Sequence, residues 1–488
     1  MSLRFYNTLT SQIEEFVAIN PKKVSVYSCG PTVYDYPHIG NWVSYIYWDI
    51  LVRTLIANGY DVDRVMNITN VGHLSSDADD GEDKLQKGAH REGKTAWEVA
   101  EFYTQDFLNG MNSLGLIIPQ HIAKVTDYIP QQLELVRKLK TKGYTYQIND
   151  GIYFDTSKFK TYADFAHLDL DSLKAGARVE FNPEKRNPSD FALWKFSPTN
   201  EKRDMEWETP ADLLDDSVEQ SLPMGFPGWH LECSTIAMTI LGETIDIHTG
   251  GIDHIPIHHT NEIAQSEAAS GVKFCNYWLH NNHLKIDGTK VSKSLGNGYT
   301  LKDIHDKGFD PLDLRMLALQ GSYRNEGNFT FKSLEGANNR LNNWRNIAAL
   351  RHQIHDTLQD DNEKEGEIAA LITESSKNIL NAVNDDLGTS EALKVIDYIF
   401  SIISNSNLSN INRQSFLDLL ETIDSILGLQ LIDRTPDISD DIKGLILERN
   451  QARLQKDWKK SDKLRDQLLK QNIVMRDTDH GSIWEYRI

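Results

Sequence analysis

The feature that most restricts the fold lies within residues 23–71. Segment 23–27 (KVSVY) alternates polar and apolar residues and ends at Cys29, Gly30 and Pro31; an apolar-rich stretch, 42–57, follows and closes on Asn58 and Gly59. Alternation with period two reads as a strand, and Asn-Gly after an apolar run is a good helix stop. The run 62–71 reads as a second strand. Strand, helix and strand in this order join parallel strands, so the chain is committed to a nucleotide-binding type of α/β domain. Ligands of such sheets sit at the carboxyl ends of the strands, where Cys29 and its loop fall.

From about 119 to 224 the pattern turns irregular. It holds a Gly-Ile-Tyr-Phe-Asp segment at 151–155, a Pro-bearing loop at Arg186, Asn187 and Pro188, and an acidic run at 212–219. This predicts an insertion between the halves of the sheet. The α/β character returns at Gly228, and a helix-rich region begins near Pro311. Beyond about Thr330, helical periodicity continues to Ile473, broken by polar linkers at 356–365 and 433–441. A chain of 488 residues that is 40% hydrophobic divides into about three or four domains.

No apolar run approaches about 18 residues, and the N-terminus lacks both a basic start before an apolar stretch and a small-residue cleavage site. Neither secretion nor membrane spanning is expected. Three scattered cysteines, Cys29, Cys233 and Cys275, are too few for a disulfide framework, which favours a reducing, cytoplasmic setting. The formal net charge of −20 excludes a general nucleic-acid binder, since non-specific affinity comes from Lys and Arg on phosphates. A nucleic-acid partner needs a local basic patch. Residues 443–476 contain ten Lys or Arg against four Asp or Glu. Within them Arg449, Arg453, Lys456, Lys460 and Lys463 recur at steps of four and three, as on one helix face beside an apolar stripe of Leu454, Trp458, Leu464 and Leu468. A solvated amphipathic helix has the same pattern.

Three constellations carry chemistry. Pro37-His38-Ile39-Gly40-Asn41 stands where the loop after the first strand becomes a helix. Free backbone N–H groups and the macrodipole there attract phosphate, His38 adds a side-chain donor, and Gly40 lets a flat base approach the backbone. An ordinary helix start fits the same five residues. The second is Lys290-Val291-Ser292-Lys293-Ser294, between Asp287-Gly288 and Gly296-Asn297; two lysines in such a loop stabilise charge on a departing pyrophosphate. A solvated surface loop is the plain alternative. The third is Cys29, Cys233, His258 and Glu262. His258 and Glu262 are four apart, so on a helix they share a face, and two thiolates, an imidazole and a carboxylate make a zinc set. A buried pair of cysteines beside a histidine-rich helix start also fits, and no local CxxC spacing decides between the two.

Taken together the three constellations resemble one family, the cysteinyl-tRNA synthetases, over nearly the whole chain. The likeness runs through 27–35 (YSCGPTVYD), 67–85, 176–180 with 190–195, 228–233, 250–268, 277–297 and 449–484. Residues 38–41 match the HIGH signature and 290–294 the KMSKS signature. The resemblance implies catalytic roles for His38, Asn41, Lys290 and Lys293, and ATP contacts by His38, Gly40 and Lys293. It implies one Zn²⁺ on Cys29, Cys233, His258 and Glu262, and a cysteine pocket of Thr69, Trp229 and Asp253. It departs at Asn41 for the last residue of HIGH, Val291 for the Met of KMSKS, and Thr260 where Glu is common in HHENE. Asn41 still has a hydrogen-bond donor to offer.

The implied architecture is a Rossmann-type catalytic domain with a parallel sheet (1–118 and 225–275), interrupted by an inserted connective domain (119–224). A KMSKS-loop region (276–330), an all-α helical bundle (331–432) and a small C-terminal anticodon-binding domain (433–488) follow. The implied activity is a cysteine–tRNA ligase using ATP with Mg²⁺, L-cysteine and tRNA(Cys), acting as a monomer away from membranes.

Overall fold

After a short hairpin of Arg4–Asn7 and Gln12–Glu15, the strand, helix and strand read from the sequence are Lys23–Ser28, Ile39–Ala57 and Asp61–Ile68. The helix begins three residues before the apolar stretch, because the side chain of His38 caps it. In the computed structural model the described residues are 2–72, 85–86, 88–89, 93–168, 182–198, 202–215, 222–291, 296–354 and 363–487. They fall into two units: Leu3–Asp303 with Tyr323–Gly327, and Ile304–Ser322 with Asn328–Ile488 and the first two residues.

Five parallel strands form the centre of the first unit, in the spatial order Cys275–Asn281, Ile245–Gly251, Lys23–Ser28, Asp61–Ile68, His121–Lys124. Counted along the chain this is the order five, four, one, two, three, the doubly wound arrangement whose direction reverses between its first and fourth strands. Val24, Val26, Tyr27, Ile245 and Ile247 are fully buried. Such runs are what a parallel sheet covered on both faces requires.

The insertion is itself a sheet. Strands Thr145–Ile148, Gly151–Phe154, Phe191–Phe196, Met224–Pro227 and Trp207–Glu208 pair antiparallel in that spatial order. Phe154, Phe191 and Trp194 of this sheet share one core with Leu231 and Ala264, which belong to helices Trp229–Ile240 and Thr260–Ser270. The boundaries expected at 118, 225 and 275 therefore fall elsewhere. His121–Lys124 and Cys275–Asn281 are edge strands of the parallel sheet, and Met224–Pro227 belongs to the antiparallel one. Backbone pairing, not a shift in composition, sets these limits. Segment 176–180 lies outside the described residues.

The second unit is helical through Arg413–Leu427. It ends in helices Asp440–Leu454 and Trp458–Lys470 and the hairpin Ile473–Thr478 with Gly481–Tyr486. The basic residues expected on one helix face are split between these two helices. Lys456 takes φ +60° and stops the first helix, while Asp457 caps the second by accepting from the Lys460 N–H at 3.1 Å. A three-residue break keeps the count of threes and fours in the sequence but not the common face. Arg449 is buried against Asp477 at 3.4 Å, and Arg453 reaches the same carboxylate at 2.9 Å. The apolar stripe divides as well: Leu464 and Leu468 are buried, whereas Leu454 and Trp458 are 84% and 57% exposed. None of the described helices is long and apolar enough to cross a membrane.

Candidate metal centre and adjoining cavity

The reversal of strand order leaves a crevice beyond Ser28 and Gly251, and a cavity of about 410 Å³ opens there. Cys29 is the first residue past its strand, tied across the crevice by its N–H to the Thr249 carbonyl at 3.3 Å. Gly30 follows because nothing larger fits: a Cβ would lie 1.7 Å from the Asn67 carbonyl oxygen.

The expected metal ligands converge. One donor atom each from Cys29, Cys233, His258 and Glu262 lies within 4.8 Å of every other. Tetrahedral zinc with bonds of about 2.0–2.3 Å holds its ligand atoms roughly 3.3–3.8 Å apart, so the cluster has the right size. His258 sits not in a regular helix but in the π-type turn Ile255–His259 before helix Thr260–Ser270; its Nε2 still lies 3.0 Å from Glu262 Oε1. Beyond these imidazole contacts, with His258 and at 3.9 Å with His259, that fully buried oxygen has no hydrogen-bond partner among the described residues. His230 Nδ1 is 3.0 Å from His258 Nδ1 and fixes the far side of the ring.

The charges fit a cation. Hydrogen bonding with Cys233 holds the Cys29 thiol well below its ordinary range, whereas burial pushes Cys233 well above it. Coordination of a metal would resolve that opposition, because it deprotonates a bound thiol outright. Burial acts to raise the Glu262 carboxyl, but His248 and His258 outweigh it and hold it at about 2. Burial likewise acts to lower His258, yet Glu262 and Cys29 lift it to about 10. The cluster thus holds the negative charge of Cys29 and Glu262 against neighbouring imidazoles, a balance in which a cation could take the place of protons.

Sequence reasoning missed the shell around it. His248 Nε2 holds the other oxygen of Glu262 at 2.9 Å, and His259 Nε2 lies 3.4 Å from Cys29 Sγ. These two complete a second possible set, Cys29, His248, His259 and Glu262. The first set offers two sulfurs and suits zinc better. In it His248 and His259 would be placed to orient the ligands. Only the doubled His258-His259 gave any signal of this; His248 arrives through the register that sets it opposite Tyr27.

The remaining expected residues divide. Thr69, Trp229 and Asp253 line the cavity together with Cys29 and Cys233, and the Trp229 ring lies 4.2 Å from that of His258. His38 and Asn41 line it too, but in a capping box. His38 Nδ1 accepts from the N–H groups of Gly40 (3.0 Å) and Asn41 (3.3 Å), Asn41 Oδ1 accepts from the His38 N–H (3.1 Å), and the Ile39 N–H is given to the Tyr299 carbonyl (2.7 Å). The backbone N–H groups of the helix start are therefore already taken, contrary to expectation, and with Nδ1 accepting, the proton of the His38 ring is on Nε2. Gly40 serves the ring rather than a base, since a Cβ there would come 2.9 Å from His38 Cε1.

The bond from Ile39 to Tyr299 joins the first signature to the segment just past the second. Lys290 is exposed in the strand Thr289–Lys290 and away from the cavity lining; Lys293 lies outside the described residues.

Residues 15–339 match the family model of the class I (C) tRNA synthetase catalytic domain, and residues 435–484 that of the cysteinyl-tRNA ligase anticodon binding domain. A cysteine–tRNA ligase of Treponema denticola is 40% identical over 99% of this chain and all of its own length. Cysteine–tRNA ligase 1 of Burkholderia lata is 39% identical over 99% of this chain and 96% of its own. Among solved structures, Mycobacterium tuberculosis methionyl-tRNA synthetase bound by methionyl-adenylate shares the fold with a TM-score of 0.57 at 14% identity, over 90% of this chain and 96% of that one.

Proposed function

The chain belongs to the family of cysteine–tRNA ligases, and from that premise we propose that Cys29, Cys233, His258 and Glu262 hold one zinc ion that selects the substrate by its thiol. The family's reaction activates L-cysteine with ATP to cysteinyl-adenylate and transfers the cysteine to tRNA(Cys), releasing AMP and diphosphate. The observation that carries the zinc reading is the convergence of two sulfurs, an imidazole and a carboxylate on one buried point of the cavity wall. When bound, zinc would supply the positive charge that ionises the substrate thiol, an advantage the hydroxyl of serine lacks because oxygen is the harder, weaker ligand. A hydrophobic pocket alone separates near-isosteres by only about 10–200-fold.

Thr69, Trp229 and Asp253 would hold the rest of the amino acid against this wall. The carboxylate oxygen of cysteine then attacks the α-phosphorus of ATP, and the bond to the β-phosphate oxygen breaks to release diphosphate. His38 Nε2–H and the Asn41 amide face the phosphates, while Gly40 keeps the His38 ring in place. Lys290 and Lys293, with the Mg²⁺ that accompanies ATP, would neutralise charge as diphosphate leaves. The terminal ribose hydroxyl of tRNA next attacks the adenylate carbonyl carbon, and AMP departs.

Residues 433–488 would read the anticodon, 331–432 would form the supporting helical bundle, and the stretch from the end of strand Cys275–Asn281 to residue 330 would carry the KMSKS loop; a cytoplasmic monomer completes the reading. The test is exchange of labelled pyrophosphate into ATP with cysteine or serine. Cysteine-dependent exchange, with serine inert at equal concentration and about one zinc per chain, is expected. Equal exchange with serine, or a metal-free active enzyme, would overturn the reading.

A further inference from the structure

Glu232 is fully buried one residue before the proposed ligand Cys233, and it is not among the residues lining the cavity. It is nevertheless joined to the cavity wall by a chain of hydrogen bonds whose direction has no freedom. The Gly30 N–H donates to Asn67 Oδ1 at 2.8 Å, Asn67 Nδ2 donates to Thr69 Oγ1 at 3.0 Å, and Thr69 Oγ1 donates to Glu232 Oε2 at 2.9 Å. A backbone N–H can only donate and a carboxylate can only accept, so the two ends fix the Asn67 amide and the Thr69 hydroxyl between them. Asn67, Thr69 and Glu232 are each 2% exposed or less, so a reversed bond has no water to repair it. The backbone of Thr69 is held as well: its N–H is given to the Pro31 carbonyl at 3.0 Å, and its own carbonyl accepts from the Val33 N–H at 3.1 Å.

A threonine hydroxyl has one proton and two lone pairs. In Thr69 the proton is committed to Glu232 and one lone pair to Asn67. What remains toward the cavity is a single lone pair, which accepts and cannot donate. An amino acid offers one group that must donate, its α-ammonium, and one that must accept, its carboxylate. We infer that Glu232 is a positioning residue that holds the Thr69 hydroxyl as an acceptor for the α-ammonium of the substrate. Without this carboxylate the hydroxyl turns freely and can present its proton to the ammonium, which repels it. The inference rests on the proposal that Thr69 belongs to the amino-acid pocket.

The experiment uses the full-length enzyme with its metal and reads the KM for cysteine in pyrophosphate exchange, together with zinc content and inhibition by 3-mercaptopropionate, which keeps thiol and carboxylate but lacks the ammonium. Thr69→Val and Glu232→Leu, which leaves nothing to accept from the Thr69 hydroxyl, should each raise the KM for cysteine about 10- to 100-fold, the range for a hydrogen bond to a charged group. Zinc content and inhibition by 3-mercaptopropionate should stay at parental values. Where Glu232 acts on the substrate through Thr69, the double variant should raise the KM for cysteine no further than the worse single one. Thr69→Ser, which keeps the hydroxyl, should lie within about threefold of the parent, and with Thr69→Val it tests the acceptor even where Glu232→Leu fails to fold. Multiplying effects in the double variant, an unchanged KM in Glu232→Leu, loss of zinc, or equal weakening of 3-mercaptopropionate would each overturn the inference. A parental enzyme without cysteine-dependent exchange would instead refute the functional reading on which it rests.

Discussion

Replacing Gly40 by alanine separates stability from catalysis in a way that tests the His38 arrangement directly. The new Cβ would lie 2.9 Å from Cε1 and 3.0 Å from Nδ1 of His38, closer than such atoms sit, so the ring must leave the helix start. With it go the two bonds by which Nδ1 accepts from the N–H groups of residues 40 and 41. Losing a helix cap costs about 1 kcal/mol, whereas exchanging glycine for alanine in a helix returns about 0.5–1 kcal/mol. The two nearly cancel, and a melting temperature within about 3 °C of the parent is expected. Catalysis has no such compensation: a catalytic group misplaced by about 1 Å costs on the order of 10²-fold, or about 2.7 kcal/mol of barrier. Thermal melts and pyrophosphate exchange across ATP concentrations read the two effects separately. A Gly40→Ala enzyme that exchanges at the parental rate would refute the reasoning that His38 acts through this pose, and a large drop in melting temperature would show that the cap serves stability instead.

Cys29→Ser with Cys233→Ser should abolish zinc retention and cysteine-dependent exchange together, and dialysis of the parental enzyme against a chelator should do the same reversibly; metal analysis beside the exchange assay checks both. Lys293→Ala should slow adenylate formation by about 10²–10³ with little change in cysteine binding, measured by single-turnover exchange. Neutralising the exposed Lys456, Lys460 and Lys463 should weaken tRNA charging and flatten its log-log salt dependence by a slope of about two to three, leaving exchange unchanged. Arg449→Ala should instead destabilise the C-terminal hairpin region, because it strips the buried partner of Asp477, and a thermal melt distinguishes the two outcomes.

What could be read without a structure was local or tied to a resemblance. The strand, helix and strand of residues 23–68 announce themselves because alternation and a capped apolar run are properties of neighbouring residues. The spacing of His258 and Glu262 survives even though His258 sits in a π-type turn, since one turn of either kind brings residues four apart together. Threes and fours misled at 449–463 for the same reason: they count residues and ignore the left-handed Lys456 that ends a helix among them. The expected limits of the insertion missed because Met224–Pro227 and His121–Lys124 are claimed by pairing with strands distant in sequence.

The sequence by itself therefore determined the βαβ unit and the likeness to one ligase family, and through that likeness it named the residues proposed for metal and nucleotide. Only the tertiary structure decided how they are held. The parallel register sets His248 opposite Tyr27 and so against Glu262, the close approach of Gly30 to Asn67 starts the hydrogen-bond chain to Glu232, and the folded ring of His38 takes up the backbone donors that phosphate was expected to use. Each depends on groups far apart in the chain or on the direction of a hydrogen bond. Neither leaves a periodic trace in the order of residues, because sheet register and proton placement are settled only when the whole domain packs.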